Sequence, residues 1–178
     1  NAPDLGDEIR EEKAVMKSLF IAYNDEHDSA RANHIRKQLL ATNEYRIEGY
    51  SPFTTWLKSK GGELLGDLRE QYDRQLADSS AVLVLLGNDS AANPWIRYAI
   101  ERSHVNAKPL MVIDISQVPD EYGETTTVDI NPLERFAVME QNEKVYLSDR
   151  YEYYVWDEYS IDDIDSWLAS ASAGAELL

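Results

Sequence analysis

An α/β fold, with a parallel sheet in strand order 2-1-3-4-5 and helices on both faces, is predicted by three features of this chain. Short apolar runs alternate with amphipathic segments of helical period along most of its length. The clearest run, Ala81–Leu86 (AVLVLL), holds no polar residue, as suits a strand covered on both faces. Right-handed crossovers and the position of the first helix then favour that strand order.

Residues 1–16 are charged and read as an N-terminal extension, partly helical or loose, ahead of a single domain over residues 17–178. The sequence begins without Met, so Asn1-Ala2 reads as a processing or cloning scar. Residues 17–23 (KSLFIAY) form a buried strand that ends at polar Asn24-Asp25-Glu26. Residues 28–42 place Ala32, Ile35 and Leu39 at helical spacing. Residues 45–49 make a weak strand, and the loop GYSPFTTWLKSKGG follows. Leu64, Leu65, Leu68, Tyr72 and Leu76 then share one helical face.

Ala81–Leu86 is closed by Gly87, after which Asn93 is a good N-cap and Pro94 suits the first helical position. That helix should reach about Asn106, and residues 110–115 (LMVIDI) are another buried strand. Beyond Ser116 the pattern weakens. Residues 117–131 read as a loop, and 144–147 and 151–156 as short strands. Ser160 with Asp163 resembles a capping box, opening a last helix through Ile161, Ile164, Trp167 and Leu168.

Composition removes several functions. Hydrophobic residues at 43% and aromatics at 10% suit a folded globule, and 178 residues suffice for one sizeable core. Cys 0 excludes disulfides, thiolate metal sites and cysteine nucleophiles, and fits a reducing cytoplasm. No apolar run is long enough to cross a bilayer and no secretory segment opens the sequence, so no membrane partner is expected. A net charge of -16 without a Lys/Arg stripe argues against nucleic acid; it reads as solubility or as a halophilic source. His27, His34 and His104 lack metal-ligand spacing and read as solvated side chains. Asp162, Asp163 and Asp165 do not make a calcium loop and suit a helix start, so no metal is expected.

Ligands of such sheets sit outside the carboxyl ends of the strands, at the switch point. That gathers residues 22–28, 49–56 and 87–95 around one crevice. A phosphate-accepting receiver needs an acid ending the third strand, which here ends Leu86-Gly87. A flavin-phosphate cradle, a G-x-G-x-x-G turn or a Walker loop needs Gly and hydroxyls after the first strand, which here continues AYNDEHD. None of these fits.

The chain resembles the TIR-like (Toll/interleukin-1 receptor-like) proteins, most closely the Thoeris antiphage ThsB group. The resemblance rests on SLFIAYNDEHD, GYSPFTTW, SSAVLVLLGNDSAANPWIRYAI and the closing YYVWDEYSIDDIDSWLASA, in that order and spacing, over residues 17–173. One departure is Asn93-Pro94 before Trp95, where the group often has a hydroxyl residue. The resemblance implies a flavodoxin-like, TIR-like sheet. It also implies cleavage of the nicotinamide–ribose bond of NAD and release of a cyclic or conjugated ADP-ribose signal. NAD would then be substrate, with no resident cofactor. The implied partners are an effector reached through that signal, a phage-derived trigger and a second copy of the chain.

The family's catalytic residue is a Glu four positions after the Trp, and here that position is Ala99. Nucleoside deoxyribosyltransferase-like proteins give the same register, with a Glu nine residues before the Lys of a Gly-Lys-Pro-like turn. Counting back from Lys108 in NAKPL also reaches Ala99. Breaking an N-glycosidic bond builds oxocarbenium character on the ribose, which a nearby carboxylate stabilises and alanine does not. Glu101 lies two residues along, roughly 200° around the helix axis, facing its i−4 neighbour Arg97 on the surface. Two histories account for the missing acid: a deliberate Glu→Ala substitution, which the matched pocket and Asn1-Ala2 favour, or a natural non-catalytic relative.

Among the other crevice residues, Tyr23 and Trp56 are placed to stack on adenine or nicotinamide, or to pack as core. Ser51, Pro52 and Phe53 form a lining turn or a plain loop, and Trp95 walls the site or packs beneath it. Asp28 either binds a ribose hydroxyl or favours the first turn of its helix. Ala22, Asn24, Gly87 and Asp89 complete the expected lining. Two rival readings remain: a non-catalytic TIR-like interaction module, and a deoxyribosyltransferase-like enzyme, which the absence of a glycine-rich start after the first strand weakens.

Overall fold

A computed structural model of the chain describes residues 16–50 and 66–176. The expected extension up to residue 15, the loop residues Ser51, Pro52, Phe53 and Trp56, and Leu64 and Leu65 lie outside the described residues, as does the Leu68 side chain. The elements run β1 (Lys17–Ala22), α1 (Ser29–Ala41), β2 (Tyr45–Tyr50), α2 (Gly66–Asp78), β3 (Ala81–Leu86), α3 (Pro94–Val105) and β4 (Leu110–Asp114). There follow β5 (Ala137–Glu140), β6 (Glu143–Tyr146), β7 (Tyr153–Val155) and α4 (Ser160–Glu176).

Five parallel strands form the sheet in the order β2-β1-β3-β4-β7. The predicted order is borne out. Its fifth strand is seventh in the chain because an antiparallel hairpin, β5–β6, intervenes. That hairpin was not predicted: only residues 144–147 read as a strand. Its turn, Gln141-Asn142, holds φ of 49° and 67°, the left-handed pair that a two-residue hairpin turn requires without the usual Asn-Gly signature.

Alternation along each strand divides the interior in two. Leu19, Ile21 and Tyr23 join Leu83, Leu85, Met111 and Ile113 beneath α1 and α4, through Ala32, Ile35, Leu39, Ile164 and Leu168. Phe20 and Ala22 join Val82, Val84, Leu86 and Val112 beneath α2 and α3, through Tyr72, Leu76, Trp95, Ile96, Ala99 and Ile100. The β1–β2 register slips between Leu19 and Phe20, which sets Gly49 opposite the Phe20 ring. A Cβ at Gly49 would lie 2.1 Å from Phe20 Cδ2, so this crossing needs glycine.

Local chemistry explains the helix ends. The Asn93 side chain accepts the N–H groups of Trp95 and Ile96 at 3.0 and 3.1 Å, with Pro94 at the first position, as the sequence predicts. The Lys108 ammonium donates to the carbonyls of Leu76, Ala77 and Ser79, satisfying the end of α2. Two expectations are corrected. The Ser160 hydroxyl accepts the Asp157 N–H at 2.8 Å and donates to Asp157 Oδ1, so it serves the preceding turn rather than a box with Asp163. His104 is not simply solvated, since its Nδ1 lies 2.9 Å from the Tyr151 hydroxyl. No described helix is long and apolar enough to cross a membrane.

Candidate functional site at the carboxyl edge of the sheet

Loops after β1, β3 and β4 meet at the carboxyl edge. The expected site residues divide there into three groups. Ala22, Trp95 and Ala99 share the α3 side of the sheet, all fully buried. Trp95 and Ala99 stand one helical turn apart. Trp95 packs against Tyr72 at 4.6 Å between ring centroids, its carbonyl accepts the Tyr72 hydroxyl, and the Ala99 carbonyl accepts the Ser103 hydroxyl at 2.6 Å. Ala99 therefore faces apolar neighbours. Glu101 is exposed, and Arg97 lies over the Phe136 ring at 5.9 Å.

Tyr23 follows Ala22 by one residue and so turns to the opposite face, where its ring meets Tyr50 at 4.6 Å. Burial pushes the Tyr23 hydroxyl well above the usual tyrosine range, with the neighbouring Tyr50 and Asp25 adding to the rise. Tyr50 also receives the Arg36 guanidinium over its ring at 5.2 Å.

The third group, Asn24, Asp28, Gly87 and Asp89, forms the loop edge between them. Asn24 shapes the first loop: its carbonyl accepts the Asp28 N–H at 2.9 Å and its side chain accepts the Glu26 N–H. Asp89 is left-handed at φ 59° and exposed, with His27 Nε2 at 3.9 Å. Asp28 is fully buried and, although it occupies the N-cap of α1, makes no side-chain cap bond. Its carboxylate turns instead toward Gly87, where a Cβ would lie 2.2 Å from Oδ1, and toward Arg31 Nη1 at 3.3 Å. Burial raises the Asp28 carboxyl to about 6, against the pull of the Arg31 guanidinium. Ser90, which accepts the Gly87 N–H at 2.8 Å, closes this turn.

Arg31, Ser90 and Tyr50 were not singled out from sequence. The only prior signal was the i, i+3 spacing of Asp28 and Arg31 on one helical face. A polar cleft of about 770 Å³ opens at the β4–β7 side of the same edge, lined in part by Asp114, Ser116, Thr126, Asn131, Glu134 and Tyr153. None of the expected site residues lines it.

The edge thus combines buried aromatic surface, a glycine covered by a carboxylate, and that carboxylate's buried pairing with Arg31. Residues 20–120 match the family model of the Thoeris protein ThsB, TIR-like domain. No curated protein matches the chain. That span runs from Phe20 within β1 through β4, with α1, α2 and α3, and holds every expected site residue. The doubly covered parallel sheet and the match over more than half its length agree, and the chain belongs to the ThsB TIR-like domain family.

Proposed function

We propose that this protein is an NAD-processing enzyme of antiphage defence, held silent by Ala99. Its pocket would cleave the nicotinamide–ribose bond and pass on ADP-ribose as a cyclic or conjugated signal to an effector, within the cytoplasm. The observation that carries the reading is the placement of Trp95 and Ala99 one turn apart on the sheet-facing side of α3, inside the matched family span. In this register a Glu at 99 is the family's acid. The aromatic and loop contacts are made by other residues, so ground-state binding of NAD outlasts turnover.

The full burial of Ala99 among apolar side chains favours a second reading, the non-catalytic interaction module. Incubating NAD with the parent and with Ala99→Glu, followed by liquid chromatography, separates the two. The enzyme reading expects negligible loss with the parent and a gain of about a hundredfold or more in the variant. Silence in an Ala99→Glu protein that still folds and binds NAD would favour the module. Cleavage of free nucleosides instead would favour the deoxyribosyltransferase-like alternative.

A further inference from the structure

We infer that Arg31 is a positioning residue for the carboxyl-edge crevice, acting through the segment that follows β4; the inference rests on the nucleotide reading above. Arg31 is 4% exposed although it lies on the first turns of α1. Its Nε donates to the Val118 carbonyl at 2.8 Å and its Nη2 to the Glu124 carbonyl at 2.8 Å. Nη1 donates to the His27 carbonyl at 3.2 Å and to Asp28 Oδ1 at 3.3 Å, and Asp120 Oδ2 lies 3.7 Å from Nη2.

A buried guanidinium is costly unless its fork of donors is filled. Here three of the four hydrogen bonds go to neutral backbone carbonyls, two of them in a distant segment, so the group ties that segment in place as well as facing the Asp28 carboxylate. Asp120 completes the arrangement by accepting the N–H groups of Tyr122 and Glu124, each at 2.9 Å. On the other side Asp28 meets Gly87 at the end of β3. Strands β1 and β4 both flank β3, so the Asp28–Arg31 pair straddles its end and joins the loops on either side. The loops after β1 and β3 are the ones a nucleotide at the switch point would touch, and the pair ties the segment after β4 to them.

The test compares the parent with Arg31→Lys and Arg31→Gln by amide hydrogen exchange and by calorimetric titration with NAD. Both variants should exchange the amides of residues 118–126 about tenfold faster while β3 and β4 keep their protection. Both should also bind NAD about tenfold more weakly, with Lys no better than Gln because an ammonium lacks the planar fork. Should a buried variant fail to fold, Asp120→Asn loosens the same segment from its exposed side and should weaken NAD binding in the same direction. Full affinity in variants whose segment has loosened overturns the inference, as does complete rescue by Lys. A parent that binds no NAD overturns the nucleotide reading and this inference with it, and that result is read before any variant is made.

Discussion

The Asp28 carboxylate fills the space that a side chain on Gly87 would need, with a built Cβ lying 2.2 Å from Oδ1 and 2.4 Å from Oδ2. Asp28 is wholly buried and short, so it has little room to yield. Gly87→Ala should cost about 1–3 kcal/mol by urea denaturation, as overpacking does elsewhere. Asp28→Ala in the same chain should relieve part of that loss, a non-additive pair. Strictly additive losses would mean that the two positions do not press on each other.

Protonation of Asp28 should favour the fold. Burial raises its carboxyl to about 6, above the ordinary value of an unfolded aspartate. A folded pKa above the unfolded one gives a contribution that is whole below the unfolded value and fades as pH rises through about 6. Asp28→Asn removes that dependence. Parent stability minus variant stability should therefore fall by roughly 2–3 kcal/mol between about pH 4 and pH 8. Asp165 and Glu140, held low by Lys17 and Arg150, pull the other way in both proteins and cancel in the difference. A flat difference across that range would count against the assignment.

Ala99→Glu, the variant proposed above to supply the acid, should also destabilise the chain. The new carboxyl enters a fully buried position beside apolar neighbours, so its pKa moves up. The penalty is then small in acid and grows as pH rises through that raised value, reaching about 1–3 kcal/mol at neutral pH. Melting curves of parent and variant at pH values about three units apart give the check. Equal melting shifts at both would mean that the carboxylate reaches solvent.

The β5–β6 turn invites a stabilising change. Gln141 and Asn142 both hold positive φ, a conformation that Asn-Gly adopts at lower cost. Gln141→Asn with Asn142→Gly should add roughly 0.5–1 kcal/mol in urea denaturation. A loss would mean that the Gln141 side chain holds the hairpin in place.

Much of the sheet was legible because burial on both faces leaves so plain a mark: β3 is wholly apolar, β4 is apolar up to its last residue, Asp114, and α1 occupies residues 29–41 where 28–42 was expected. The β5 half of the hairpin left no comparable mark because it is short and partly exposed, whereas β6 lies within one residue of the expected 144–147. At the site, sequence singled out Asp28 but offered only a helix-dipole role or a ribose hydroxyl for it. The ion pair with Arg31 depends on Arg31 being drawn inward by carbonyls 87 and 93 residues away. Backbone carbonyls carry no sequence signature, so such a clasp is invisible until the chain is folded. Ala22 and Tyr23, grouped as one lining, part to opposite faces simply because neighbouring strand residues must.

That partition of the interior also gives the molecule two optical windows. Trp95 reports from beneath α3, whereas Trp156, with Trp167 packed nearby and stacked on Tyr154 at 4.2 Å, reports from beneath α4. In a Trp56→Phe background, Trp95→Phe leaves emission from the α4 side alone, and Trp156→Phe with Trp167→Phe leaves it from the α3 side alone. Two such proteins reveal whether both halves of the interior melt at one denaturant concentration. They also give an optical signal, sited on the α3 side, for any molecule that seats itself at the carboxyl edge near Trp95.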